Sequence, residues 1–416
     1  MEKQLLVIGY VWPEPQSSAA GWRMTQLLAL FLEHGYRICF ACPAQKTKHS
    51  TDLEVLGIQE KYININDSSI TNFLTDLNPS VVLFDRFMME EQLGWRIREV
   101  CPNALTILDT EDLHFLRKAR EKAFKQIKLN KKLDLFTEEA KRELASILRC
   151  DLSLIISEVE MQLLQRKFQI KSSHLFYLPF IFSETFNEFN NLPNYEEREG
   201  FMSIGNFLHA PNWDQVLYLK EEIWPLIKKQ LPEATLEVYG AYSSQKVEQL
   251  HSPKTGFLVK GRADNLQEVM SKKRILLAPL RFGAGLKGKL VDAMRYGLPS
   301  ITTSVGAEAI GGKYPWSGEI ANTPEEIAQK AVHNYQRIKP WYQAQKNGFQ
   351  ILNKRFNRNA FEGNLILTIN YLLENLSLTR KENFFGQILN HQHLKSTKYM
   401  SLWIEEKTKT KLRTSV

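Results

Sequence analysis

The chain has 416 residues, room for two α/β domains of ordinary size and a short appendage, and its 43% hydrophobic and 24% charged residues are those of a globular protein. A net charge of +8 permits attraction to phosphates, nucleic acid or an anionic membrane without choosing among them. No apolar run reaches transmembrane length, and Met1-Glu2-Lys3 leads straight into a strand without a signal-peptide plan, so a cytoplasmic protein is expected.

Gln4 to Tyr10 (QLLVIGY) reads as a buried strand. After Val11 to Gly21 comes a helix carrying Leu27, Leu28, Phe31 and Leu32, closed by His34-Gly35, then a second strand from Tyr36 to Cys42. Strand, Gly/Ser loop, helix, Gly, strand opens a Rossmann-like domain, whose ligands sit at the carboxyl ends of its strands. Ser17 and Ser18 face two open readings, a ligand contact or an N-cap of the helix. The four cysteines are Cys39, Cys42, Cys101 and Cys150; the C-x-x-C pair has no second pair to complete a zinc site, and buried free thiols are expected.

Further strands follow at Ser80–Asp85 (SVVLFD) and Leu105–Asp109 (LTILD). The second ends in Thr110-Glu111-Asp112-Leu113-His114, polar groups at a strand's carboxyl end where open α/β sheets place their chemistry. Between Arg117 and Lys132 stand Lys118, Arg120, Lys122, Lys125, Lys128 and Lys131, either a solvated helix face or a basic surface suited to anionic lipid. Aromatic spacing of the kind that stacks nucleic-acid bases is absent, so no nucleic-acid partner is expected. Leu152–Ser157 is another strand, with a helix from Glu158 to Lys167 and a further strand from His174 to Leu178.

Ser183 to Gly200 is polar, proline-interrupted and linker-like. Phe201–Gly205 opens a second Rossmann-like unit, followed by Asn206 to Asp214, a helix start in its bland reading, and by strands at Leu236–Gly240 and Phe257–Arg262. Ile275 to Glu308 is the stretch that organises the chain: a buried strand (Ile275–Pro279), the cationic glycine loop Arg281-Phe282-Gly283-Ala284-Gly285-Leu286-Lys287-Gly288-Lys289, a helix to Tyr296, the stop Gly297-Leu298-Pro299, and a strand from Ser300. Glycines let backbone approach a ligand, the helix start offers free N–H groups, and Arg281, Lys287 and Lys289 add charge, so the loop suits a diphosphate. Asp292, inside the helix, is suited to a ribose. The bland reading is a strand-to-helix turn without a ligand.

This stretch resembles the nucleotide-sugar motif of GT-B glycosyltransferases, specifically the large retaining family four. Asp292-Ala293-Met294 stands where that family has Glu-Ala-Met, and Ala284 falls near the slot of its upstream acid. The resemblance spans nearly all of residues 4 to 375 and implies two Rossmann-like domains facing each other across a cleft, with C-terminal helices returning to the first. It implies donor contacts at Gly205, Asn206, His209, Arg262, Arg281, Gly283, Ala284, Gly285, Leu286, Lys287 and Asp292, with Arg281 and Lys287 weighted most because Asn206 and Pro211 replace the family's basic residues. His114, with Asp112 beside it, is the counterpart of the family's cleft histidine, although that histidine usually stands where this chain has Asp109. Ser17, Ser18 and Gly21 would form the first loop, touching donor phosphate or acceptor.

The expected organisation is a first domain over 1–182, a linker over 183–200, a second domain over 201–355, a returning helix over 356–376 and a polar, basic tail over 377–416, with weak order from Arg380 to Val416. The expected activity is transfer of a hexose-type sugar from a nucleoside diphosphate sugar to an acceptor hydroxyl on a glycan, lipid-linked or polysaccharide precursor, with retention and without metal or other cofactor. Peripheral contact with an anionic membrane would suit a lipid-linked acceptor. The rivals are a nucleotide-sugar epimerase on the same fold and a non-catalytic protein that binds sugar nucleotide or glycan; a nucleic-acid binder rests on net charge alone.

Overall fold

The computed structural model describes residues 3–126, 133–187 and 192–414. Lys128 and Lys131 of the basic run, and residues 188–191 of the expected linker, lie outside the described residues.

The first unit contains β1 (Gln4–Ile8), α1 (Ala19–Glu33), β2 (Arg37–Cys42), β3 (Gln59–Tyr62), α2 (Ser69–Leu77), β4 (Val81–Asp85), α3 (Phe87–Val100), β5 (Leu105–Asp109), α4 (His114–Lys125), α5 (Glu138–Arg149), β6 (Leu152–Ile155), α6 (Glu158–Lys167) and β7 (Leu175–Tyr177). Its strands pair in parallel in the order β3-β2-β1-β4-β5-β6-β7. Leu5–Ile8, Val81–Asp85 and Leu105–Asp109 are buried, as strands covered by helices on both faces must be. All four cysteines are free and buried, and burial pushes the Cys39 thiol up to about 11.

The second unit contains β8 (Phe201–Ile204), α7 (Ala210–Tyr218), α8 (Trp224–Gln230), β9 (Leu236–Tyr239), α9 (Gln245–Glu248), β10 (Phe257–Gly261), α10 (Leu266–Lys272), β11 (Ile275–Ala278), α11 (Gly288–Arg295), β12 (Ser300–Thr302), α12 (Ser304–Ala307), β13 (Gly318–Ile320), α13 (Pro324–Gln336) and α14 (Ile338–Arg355). Its sheet runs β10-β9-β8-β11-β12-β13, also parallel. In each sheet the strand order reverses beside the first strand, between β1 and β4 and between β8 and β11. Ligands of open parallel sheets lie outside the carboxyl ends of the strands at such switch points.

The chain crosses between the units twice, side by side: the Phe182 N–H donates to Phe356 O at 2.8 Å and the Arg358 N–H to Phe182 O at 2.8 Å. Residues before Phe201 are held by the second unit through Arg198, buried and donating to Pro193 O at 2.9 Å and Tyr296 O at 3.0 Å. Three helices close the chain: α15 (Glu362–Glu374), α16 (Leu376–Glu382) and α17 (Phe384–Thr414). Leu365, Ile366, Ile369 and Leu372 of α15 enter the core of the first unit together with Leu27, Phe31 and Leu83.

The expectation of weak order beyond residue 380 is corrected. Polar anchors tie this part down where apolar ones are scarce: Arg380 donates to Asp151 at 2.8 and 2.7 Å and to Ala104 O at 2.7 Å, and α17 packs on α3 and α5 with Ser401 and Glu405 buried beside Arg96. No helix among the described residues is long and apolar enough to cross a membrane.

Candidate active site

A cavity of about 480 Å³ lies where the carboxyl ends of the two sheets meet. The first unit contributes the loops after β1, β4, β5 and β6; the second contributes those after β8, β9, β10 and β11.

On the second-unit side, Gly283, Ala284, Leu286, Lys287 and Asp292 line the cavity, and Lys289 joins them. Lys287 donates to Gly285 O at 3.0 Å, and Lys289 to Asn212 Oδ1 at 2.8 Å and Gln215 Oε1 at 3.0 Å. These acceptors are neutral. Burial therefore lowers both ammonium groups, Lys289 to about 7, while Glu308 and Glu160 partly restore Lys287. Burial pushes the Asp292 carboxyl up to about 6 against the pull of Arg295, whose Nη1 lies 3.2 Å away. Gly205, Asn206 and His209 also reach the cavity, as does Arg262, which donates to Ser17 Oγ at 3.3 Å and Asp264 at 2.9 Å.

On the first-unit side, both serines line the cavity. Ser18 is also the N-cap of α1, its Oγ accepting the Gly21 N–H at 3.0 Å, so the capping role holds for Ser18. His114 begins α4, edge-on to Phe87 at 5.6 Å, with Nε2 3.6 Å from Asp112 Oδ1. Burial drives this imidazole down to about 3, outweighing the pull of Asp112, and leaves it neutral near pH 7. Asp112 is half-buried, but Arg117, hydrogen-bonded to both its oxygens, and His114 hold it below the usual carboxylate range.

The first turn of α4 would present free amides; two buried carboxylates take them. Glu143 accepts the N–H of His114 at 3.0 Å and of Phe115 at 2.8 Å, and Glu160 accepts that of Leu113 at 3.1 Å. The strand-end position of Asp109 is occupied by a buried ion pair, its carboxylate accepting from Arg23 Nη2 at 2.8 Å and Nε at 3.0 Å.

Three of the sequence assignments lie elsewhere. Arg281 points away from the cavity, donating to Asp214 at 2.9 and 2.7 Å and sitting between the rings of Tyr218 and Phe124 at 4.3 and 4.7 Å. It lines a second groove on the far side of the glycine loop, with Arg120, Phe282 and Glu308. Gly285 faces the first unit: with φ of +61°, it puts the place of a Cβ 2.7 Å from that of Asp112. Gly21 packs on the backbone of Glu14, where a Cβ would come within 2.5 Å.

Sequence reasoning missed Arg86, Glu111 and Arg295 as cavity residues. Arg86 and Glu111 share positive backbone φ, 70° and 57°, rare for such side chains and concentrated at functional sites. Each directly follows or nearly follows a parallel strand's carboxyl end, and the rule that drew attention to Asp112 applied equally to Arg86. Burial pushes Glu111 up to about 8, with Asp109 adding and Arg23 and Arg86 opposing. Among the described residues there is no group of three or more His, Cys, Asp and Glu side chains placed to hold a metal ion.

Residues 198–337 match the family described as Glycosyl transferases group 1. An uncharacterised 44.6 kDa protein in a cps region of Klebsiella pneumoniae is 24% identical over 162 residues, which are 37% of this chain and 41% of that protein. Among solved structures, a glycosyltransferase from Rickettsia africae superposes with a TM-score of 0.66 at 12% identity, covering 90% of this chain and 99% of that one. TarM gives 0.68 at 8%, covering 89% and 99%, and HepE from Anabaena, solved with UDP and glucose, gives 0.65 at 10%, covering 89% and 100%. The chain thus has the GT-B fold, and within its second domain residues 198–337 are similar to the group 1 glycosyl transferases.

Proposed function

We propose that this protein transfers a sugar from a nucleoside diphosphate sugar to an acceptor hydroxyl, with the nucleotide held by the second domain. One observation carries the reading: Lys287 is buried and Lys289 half-buried at the cavity wall, yet their hydrogen bonds go to neutral oxygens. A buried cation without a carboxylate partner is costly, and a diphosphate entering the cavity would relieve both at once. Asp292, one helical turn on, is the ribose partner, and uridine diphosphate sugars are the first donors to try, since HepE was solved with UDP. The cations take up the charge that grows on the departing diphosphate, the part a metal plays elsewhere, so turnover should survive chelation.

Across the cleft, His114 is neutral and serves as a hydrogen-bonding group that fixes the reacting sugar rather than as a proton acceptor. Retention of anomeric configuration follows this reading, because the leaving phosphate can take the acceptor's proton. The acceptor is a glycan, a lipid-linked sugar or a polysaccharide precursor. Thermal-shift screening against uridine, adenosine and guanosine diphosphate sugars, followed by turnover with glycan acceptors, tests the assignment. Stabilisation by a nucleotide sugar with transfer is expected; binding without turnover would favour the non-catalytic alternative, and no binding would end it.

A further inference from the structure

Among the residues that tie the two cleft walls together, Glu160 faces neither the cavity nor solvent. It sits at the third position of α6, where a Ser-x-x-Glu capping box would send its carboxylate back to the Ser157 amide. Ser157 does cap α6, its Oγ accepting from the Glu160 N–H at 3.4 Å, but the carboxylate goes elsewhere. Oε1 accepts the Leu113 N–H at 3.1 Å on one side and the Gly285 N–H at 2.7 Å on the other. Leu113 directly precedes His114 in the first domain; Gly285 is the centre of the glycine loop in the second. Glu160 is fully buried, and the two amides oppose a burial effect that pushes its carboxyl up to about 8.

We infer that Glu160 is a positioning residue that couples the two walls, holding the His114 loop in place only when the glycine loop has docked against the first domain. The inference rests on the transferase reading for its catalytic consequence, though not for the coupling itself. Two neighbouring contacts and one contrast fit it. Gly285 can approach Asp112 only because it has no side chain. Arg120 of α4 donates to Gly283 O at 2.8 Å and to Glu308 at 2.7 and 2.9 Å, bracing the other end of the same loop. Glu143 does the capping half of the job alone, touching α4 and nothing in the second domain among the described contacts. A purely structural cap would look like Glu143.

The contrast supplies the test. Hydrogen exchange is measured on the full chain, with and without UDP as the probe, for wild type, Glu160→Ala, Glu160→Gln, Glu143→Gln and Gly285→Ala. Glu160→Ala should speed exchange about tenfold in both 113–118 and 283–288, since each segment loses its shared acceptor. Glu160→Gln, whose amide oxygen can still accept both N–H groups, should restore most of the protection. Glu143→Gln should disturb the α4 turn at most. Gly285→Ala leaves Glu160 in place but blocks docking, and should still loosen 113–118. Turnover of a nucleotide sugar by Glu160→Ala should fall at least about tenfold in kcat, with the Kd for UDP within about threefold of wild type. Loosening confined to 113–118 in Glu160→Ala, with normal exchange at 283–288 and normal kcat, would overturn the coupling and leave a cap. If Glu160→Ala fails to fold, Gly285→Ala decides: unchanged exchange at 113–118 overturns the proposal. If wild type turns over no nucleotide sugar, the transferase reading fails, while the exchange pattern still decides the coupling.

Discussion

The two walls of the cavity are built on opposite plans. The second-domain wall also draws on the loops after β8, β9 and β10, but its charged centre is one continuous stretch in which a strand end, a glycine turn and the start of a helix deliver Lys287, Lys289 and Asp292 within ten residues of Gly283. The first-domain wall is gathered from several strand ends, with Ser17 and Ser18 after β1, Arg86 after β4, Asp112 and His114 after β5, and Ile156 after β6. Their electrostatics differ in the same way. Cations on the first wall are matched, Arg117 with Asp112 and Arg86 with Asp85 at 3.5 Å, whereas the lysines of the second wall rest on neutral oxygens. Matched charges hold a shape, and unmatched buried charges await a counter-ion. Under the proposed function, this difference suits the first domain to fixing geometry and the second to binding an anion.

The largest effect should come from breaking the geometric wall. His114→Ala should lower kcat on the order of a hundredfold, with UDP affinity nearly unchanged, because the lost hydrogen bond and packing act on the reacting sugar. Steady-state kinetics on the identified donor checks this. A variant that melts earlier but turns over normally while folded would show that His114 only packs on Phe87. On the other wall the split should invert. Lys289→Ala or Lys287→Ala should weaken UDP by roughly 1–3 kcal/mol, the scale of a charge-assisted hydrogen bond in a partly desolvated site, which calorimetry would read directly.

The contrast also explains what could be read from the chain. A wall written in contiguous residues is visible as a motif: strand, glycine loop, helix and Gly-Leu-Pro stop all stand where the pattern put them. Gly297, at φ of 60°, ends α11 as expected. The central parallel strands were equally legible, since continuous apolar runs such as SVVLFD have few other uses, whereas the edge strands β3 (QEKY) and β13 (GEI) carry no such run and were not read. A wall assembled from distant segments leaves no such trace. Nothing local marks Glu143 or Glu160 as partners of the α4 amides, because those contacts exist only after α5 and α6 have packed. Arg281 failed for a related reason. A cation beside a glycine loop reads as a phosphate ligand, and only the fold shows that Asp214 has already claimed it. The closing helices misled through composition: a lysine-rich segment reads as solvated, while its anchors, Asp151 and Arg96, belong to the first domain.

A pH titration sharpens the comparison further. Lys289 is held down to about 7, so it is charged below that pH and neutral above it. UDP binding to the charged form should therefore weaken as pH rises through 7, by up to about tenfold per unit. The last phosphate proton of UDP is lost in the same region and acts in the opposite sense, which is why the comparison must be made against Lys289→Arg. Arginine stays charged throughout. Subtracting its profile should leave a loss of affinity between about pH 6 and 8 that belongs to Lys289. Identical profiles would mean that Lys289 is charged throughout or does not meet the diphosphate.

The smallest expected effect on binding is at Arg281, and it is informative because the sequence alone favoured this residue. Its guanidinium is fixed by Asp214 from one side and by two rings from the others, one of them Phe124 of the first domain. To reach a diphosphate it would have to leave all three, and the glycine loop carries it on the face opposite the cavity. Arg281→Ala should thus leave the Kd for UDP within about twofold, since no charge-assisted bond to the ligand is lost. It should cost about 0.5–1 kcal/mol of stability, because a partly exposed ion pair is worth little and the ring contacts are only partly lost. Calorimetry and thermal melts on the same preparation separate the two outcomes. A tenfold or greater loss of UDP affinity at unchanged stability would mean that the loop turns over when nucleotide binds, bringing Arg281 into the cavity and breaking the Asp214 pair.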